Sequence, residues 1–179
     1  MKVKSFSNYL TKLEKTDSRN EITEILANLF DQAELKEIKT ITYLSLGRLK
    51  PLYQSLEFNI AEKMMIKILA QTYKKKPENI EKLFKQKGDL GDVAKKLSKS
   101  KQKSKMEVSE VYKKLVEIAK QKGGGSQKRK TKLFVNLLKQ LDDLSAKYTV
   151  RITLGNLRLG YSNVTVLDAL SWMKKNDKS

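Results

Sequence analysis

Cysteine and histidine are both missing from the 179 residues. Without thiols there are no disulfides, no thiolate metal ligands and no cysteine nucleophile; without imidazole the usual zinc sites and the commonest general base are gone as well. Any catalysis would fall to carboxylates, lysines and hydroxyls. Long apolar runs are lacking too: no window approaches the roughly 18 uninterrupted apolar residues of a membrane span, and Met1-Lys2-Val3-Lys4-Ser5 leads into no apolar signal segment. These absences predict a soluble monomer of the cytoplasm or nucleoid with no membrane role. Acidic residues are scarce beside basic ones, 20 Asp+Glu against 38 Lys+Arg, and the net charge of +18 creates a field that attracts polyanions. The length suffices for one sizeable core or two small ones sharing an interface.

What is present reads as helix after helix. Ser5 to Lys15 places Phe6, Tyr9, Leu10 and Leu13 on one face. Ser18 to Asp31 opens on the cap-like Ser18-Arg19-Asn20-Glu21 and carries the stripe Ile22, Ile25, Leu26, Leu29, Phe30. A third helix, about Leu35 to Leu46, has Leu35, Ile38, Ile41, Leu44 and Ser45 at helical spacing, with Gly47 and Pro51 stopping it. A fourth runs from about Ile60 to Tyr73 with Met64, Met65, Ile68 and Leu69 inward. No internal repeat of fixed period connects these segments.

From Lys74 to Lys132 the chain holds 20 Lys+Arg against 7 Asp+Glu. Pro77 suits the first turn of a helix through Ile80, Leu83 and Phe84, and Gly88 ends it; Gly88-Asp89-Leu90-Gly91 then reads as a tight turn into a short helix from Asp92 to Leu97. Ser98 to Lys105 contains no apolar residue and reads as a mobile, solvated loop. Helical pattern resumes at Val108, with Val111, Leu115, Ile118 and Ala119 on one face, and breaks at Gly123-Gly124-Gly125. Ser126 then offers an N-cap, and Lys128, Arg129 and Lys130 follow within the first turns, a pattern suited to phosphate. Tyr148 to Leu154 is rich in β-branched residues, but a lone strand in a helical chain has no partner, so helix is expected.

The stretch Gly155-Asn156-Leu157-Arg158-Leu159-Gly160 has the makings of a backbone clamp. Glycine permits positive φ and close approach, and an arginine can fork onto phosphate oxygens. Ser162 or Asn163 can cap a following helix through Val166, Leu167, Leu170 and Met173. Taken alone, the same residues also describe an ordinary turn with a solvated arginine. Asp89, Asp92, Asp142 and Asp143 lie beside turns or helix ends, where capping accounts for them better than catalysis does.

Several blocks, in order along the chain, carry a more specific resemblance. They are Tyr43-Leu44-x-x-Gly47-x-Leu49-x-Pro51-x-Tyr53, Phe58-Asn59-Ile60-Ala61, Gly88-Asp89-Leu90-Gly91-Asp92-Val93-Ala94, Glu110-Val111-Tyr112, Gly125-Ser126-Gln127, Ala146-Lys147-Tyr148, Arg151, and Gly155-x-Leu157-Arg158-x-Gly160. The set resembles the N-terminal DNA-binding domain of ATP-dependent DNA ligases, with the archaeal branch the most similar. The resemblance implies one all-α domain over 1–179, of about ten helices in two packed, roughly similar halves (about 1–75 and 76–179). It also implies binding to duplex or nicked DNA from the minor-groove side, in an enzyme that seals nicks in replication and repair. The adenylation domain with its Lys-x-Asp-Gly lysine, the OB-fold domain, and the ATP and magnesium they use have no counterpart in this sequence. A fragment of this kind is expected to bind DNA without sealing it.

Carried over residue by residue, the resemblance assigns DNA contacts to Gly155, Asn156, Leu157, Arg158 and Gly160, to Ser126, Lys128, Arg129 and Lys130, to Gly88 and Gly91, and to Gly47, Arg48 and Lys50. Gly88 and Gly91 also fit as plain turn glycines, and Arg151 fits either DNA contact or an ion pair with Asp142 or Asp143. One departure concerns the sliding clamp. Archaeal relatives follow a Gln-Lys-Ser with two phenylalanines that anchor the clamp, whereas Gln102-Lys103-Ser104 is followed by Lys105-Met106, which argues against clamp docking through this loop. A second class of function stays open at this level: a basic helical protein-interaction adaptor with no nucleic-acid role.

Overall fold

Local chemistry decides where the helices start and stop. In the computed structural model, which describes residues 1–54, 56–98 and 104–175, α1 (Val3–Leu13) is followed by α2 (Arg19–Asp31), capped by Ser18 Oγ accepting the Glu21 amide at 3.4 Å. α3 (Leu35–Ser45) and α7 (Val108–Lys120) open on reciprocal boxes, Glu34 with Glu37 and Glu107 with Glu110. Pro77 sits in the first turn of α5 (Pro77–Lys87), where a missing N–H costs nothing, and Gly88 ends that helix at φ 68°. Asp89 caps α6 (Leu90–Leu97) on the Asp92 amide, and Asp142 caps α9 (Asp143–Thr153) on the amides of Leu144 and Ser145. With α4 (Glu62–Tyr73), α8 (Ser126–Leu138) and α10 (Asn163–Lys175) the set reaches ten, and no strand occurs among the described residues. None of these helices is long and apolar enough to cross a membrane.

The central element is α9. Every residue from Ser145 to Thr153 is buried, which explains its strand-like composition: a helix covered on all sides needs packing volume all round rather than one stripe. Burial of Val150 and Ile152 stabilises the fold by roughly 1.5–3 kcal/mol each. α1 lies along one side, where Ser7 Oγ donates to Ser145 Oγ at 3.2 Å and Tyr148 Oη donates to Glu14 Oε2 at 2.7 Å. α6 crosses another side closely enough that a Cβ on Gly91 would lie 2.8 Å from both the Lys147 carbonyl oxygen and Arg151 Cγ. Gly91 is therefore a close-approach glycine inside α6, not part of the turn expected before it. Around this centre α2 packs on α10, α4 and α7 on α8, and α3 on α7.

The chain start is tied to the segment before α7. Val3 N–H donates to Met106 O at 3.0 Å and Val108 N–H to Met1 O at 2.9 Å, while the Met1 ammonium donates to both Glu37 carboxylate oxygens at 2.6 and 2.7 Å. Glu37 thereby takes an inward position in the first turn of α3, and Leu35, expected on the apolar stripe, stands 89% exposed. Two further expectations change. Gly125, at φ 70°, takes the N-cap position of α8, so Ser126 is its first residue instead of its cap. In the basic loop, 99–103 lie outside the described residues, and with them Gln102 and Lys103 of the clamp-like tripeptide. Ser104 is not solvated: it is buried, donates to Gln140 O at 3.2 Å and accepts the Met106 amide at 3.3 Å.

Candidate nucleic-acid interface

From Leu56 to Ala61, ahead of α4, the chain runs without regular structure, and Asn59 adopts φ 50°, a left-handed conformation rare outside glycine. Three grooves meet along segment 56–61, and Ala61 lines all of them. The first, between α4 and α8, has a volume of about 660 Å³ and is lined by Lys63, Lys67, Lys128 and Lys132 with no carboxylate. The second joins Gly47 and Arg48 to Gly155, and the third joins Gly88 and Asp89 to Asn156 and Arg158. Turns far apart in the chain are thus brought to one irregular strap.

Alternation inside the 155–160 turn explains how it is held. Leu157 and Leu159 are buried, while Asn156, Arg158 and Gly160 are exposed. Leu157 packs on the Gly47 turn, where an added Cβ would lie 3.6 Å from Leu157 Cβ. Tyr161 Oη donates to Ser45 O at 2.8 Å and pins the far end. Gly155, Arg158 and Gly160 all have positive φ, 66°, 55° and 67°. For a non-glycine residue such a backbone costs of order 1–3 kcal/mol and persists only where surroundings hold it. Here Arg158 Nε donates to Asn156 Oδ1 and Nη2 to Gly88 O, both at 3.1 Å, with Asp89 Oδ2 3.8 Å away. The guanidinium is held in place yet 48% exposed, so donors remain for an anion.

Arg48 lies over the Tyr43 ring at 6.0 Å and donates to Asn163 Oδ1 at 3.2 Å, while its Nε is buried with no partner. Lys50 is half-buried and lines none of the three grooves.

The basic side chains at the start of α8 differ in their surroundings. Lys128 is exposed and lines the first groove, and Ser126 is half-buried. Arg129 folds back on the glycine turn, donating to Gln121 Oε1, Gly124 O and Lys122 O at 3.0, 2.8 and 2.8 Å. Lys130 is 5% exposed, and its Nζ donates to Phe58 O at 2.6 Å. Arg151, for which DNA contact or pairing with Asp142 or Asp143 was open, is buried and pairs with Asp89, Glu14 and Asp92. Asp142 and Asp143 receive Lys4 instead.

The sequence reading assigned no contact to Lys63, Lys67, Lys132 or Asn59, all of which line the first groove. The signal was available, since Lys63 with Lys67 and Lys128 with Lys132 are like-charge pairs four apart, mildly unfavourable on a helix unless something anionic faces them. Among the described residues no cluster of three carboxylates is arranged to hold a metal ion. The charged side chains that line the first groove are all lysines.

Comparison with known proteins bears on this surface. The family described as "DNA ligase N terminus" matches residues 2–171. A probable DNA ligase of Dictyoglomus turgidum is 42% identical over 96% of this chain and 29% of its own length. A probable DNA ligase of Aquifex aeolicus is 39% identical over 96% of this chain and 30% of its length, and a DNA ligase of Sulfolobus acidocaldarius 35% over 96% and 31%. The chain thus spans about three-tenths of the length of these relatives. With a match over nearly all its residues, this chain belongs to the DNA ligase N-terminal family.

Proposed function

We propose that the chain is the DNA-binding domain of an ATP-dependent DNA ligase and grips duplex or nicked DNA from the minor-groove side without reading its sequence. The observation that carries this is the strap at 56–61, where a four-lysine groove free of carboxylates meets the grooves holding Arg48 and Arg158. Lysine and arginine on phosphate give affinity and register but no base readout, as an enzyme acting at any nick requires. The left-handed turns at Gly47, Gly88 and Gly155 let the main chain approach a backbone closely. Adenylation, with its ATP and magnesium, belongs under this reading to a domain outside these 179 residues. The relatives are DNA ligases or probable DNA ligases, which supports nick sealing by the whole enzyme, with replication and repair as its proposed setting.

Titration of a random-sequence duplex with the protein at increasing salt tests the proposal. Neutralising about six phosphates predicts a roughly thousandfold loss of affinity between ~50 and ~200 mM salt. Affinity that does not change with salt favours the protein-interaction adaptor instead. That alternative has in its favour, among the described residues, exposed apolar side chains such as the adjacent Leu52 and Tyr53, and a few exposed apolar side chains are ordinary on protein surfaces.

A further inference from the structure

Lys128, Lys130 and Lys132 look equivalent in the sequence, but helical phase separates them. Residues four apart share a face, whereas a residue two positions on points about 200° away. Lys128 and Lys132 accordingly line the first groove, and Lys130 turns inward to the Phe58 carbonyl. That carbonyl belongs to an irregular strap and needs a donor that no neighbouring strand or helix supplies. Among the described residues no carboxylate pairs with Lys130, and burial, with Lys122 nearby, lowers its pKa from the ordinary lysine value. Its strongest contact is thus to the strap. Arg129 is exposed, unlike Lys130, but each of its three guanidinium nitrogens is bonded within residues 121–124, whereas the bonds of Arg158 use only Nε and Nη2.

We infer that Lys130 and Arg129 are positioning residues, not phosphate ligands: Lys130 fixes the strap against α8, Arg129 fixes the glycine turn, and Lys128 and Lys132 make the phosphate contacts. The inference rests on the DNA-binding proposal above and divides its residues into two physical roles. A phosphate ligand displaces counterions, so its loss lowers the slope of log affinity against log salt by about 0.9. A positioning residue has no counterion to release.

Duplex binding is measured across a salt series for the unmodified protein and for Lys128→Ala, Lys132→Ala, Arg129→Gln and Lys130→Met. Lys128→Ala and Lys132→Ala each reduce the slope by about 0.9. Lys130→Met and Arg129→Gln keep the full slope, and Lys130→Met binds about tenfold more weakly at every salt, as expected for losing a hydrogen bond from a charged donor. A slope reduced by about 0.9 in Lys130→Met, or unchanged affinity, overturns the assignment. Because a buried lysine variant can lose its fold, lysine acetylation is mapped on the unmodified protein as well. Lys128 and Lys132 react when free and are shielded by DNA, while Lys130 is unreactive in both states; Lys130 reacting when free and shielded by DNA overturns the inference. If Lys128→Ala and Lys132→Ala leave the slope unchanged while the unmodified protein retains a steep one, the groove assignment alone fails. A flat response in the unmodified protein removes the DNA-binding proposal, and the inference with it.

Discussion

Arg151 and Asp89, 62 residues apart in sequence, form a buried ion pair with Nε to Oδ1 at 3.1 Å. Arg151 also reaches Glu14 at 3.0 Å and Asp92 at 3.5 Å, which joins α1, α6 and α9 at one guanidinium. Asp89 in turn stands 3.8 Å from Arg158 Nε, so one carboxylate links the interior to the exposed arginine of the third groove.

Substituting Arg151→Met leaves the buried Asp89 without its close ion-pair partner, while Lys147 still holds Glu14 and Asp92 at 2.8 and 3.1 Å. Breaking a buried pair from one side costs about 3–5 kcal/mol. Urea unfolding of the variant should show a loss of that order, with the midpoint shifted and the slope of the transition retained. A loss within about 0.5 kcal/mol, ordinary for a surface change, would contradict the role given to this residue.

The same cluster makes stability depend on acid. Burial disfavours the charged Glu14 carboxylate, but hydrogen bonds from Lys147, Tyr148 and Arg151 outweigh it and lower the Glu14 pKa from 4.5 to about 2. A depressed folded pKa means that the contribution is fully present above about 4.5 and is lost as pH falls toward 2. Glu14 is partly exposed, so solvent screening reduces the effect to about 1–2 kcal/mol. Stability measured from pH 5 down to pH 2 should fall more steeply in the parent than in Glu14→Gln. Parallel curves would contradict the cluster as the source.

Two glycines separate packing from turn formation. At Gly91 a Cβ would stand 2.8 Å from backbone oxygen and from Arg151 Cγ, whereas at Gly124 nothing lies within 4 Å. Overpacking of a close helix crossing costs about 1–3 kcal/mol or more, so Gly91→Ala should lower the thermal midpoint clearly and Gly124→Ala should leave it nearly unchanged. Equal effects at the two positions would contradict the close α6–α9 approach.

Arg158→Ala should affect binding more than folding. The side chain is half exposed and its ion pair is long, so the stability change should stay near 0–1 kcal/mol. Duplex affinity should fall, with the salt slope reduced by about 0.9. Unchanged affinity in a folded variant would remove the 155–160 turn from the interface.

Much of the fold was legible because its signals are local. Ser18, Pro77 and Gly88 fix helix ends through bonds made within a few residues, and each acts as the sequence indicates. The segment from Tyr148 to Leu154 read as helix only because a strand would have had no partner; the structure adds that α9 is covered on all sides. The partners of Arg151, left open between DNA and Asp142 or Asp143, were not legible for a different reason. Asp142 and Asp143 are near Arg151 in sequence, but Asp142 is committed to its own helix cap and both receive Lys4, while the real partners come from other helices. No spacing rule reports such a meeting. In the basic run at 128–130, composition suggested three equal cations, and only helical phase together with the strap distinguishes Lys130 from Lys128. The pair Lys63 and Lys67 escaped notice because the inward residues of α4 dominated its pattern.

The most direct test of the central claim is the salt slope of duplex binding measured for the unmodified protein and for a variant with Lys63, Lys67, Lys128 and Lys132 all changed to alanine. If these lysines meet a phosphate backbone, the slope should drop by up to about 3.6, at about 0.9 per contact, with the fold intact by circular dichroism. An identical slope in the two proteins would contradict the placement of DNA along this groove.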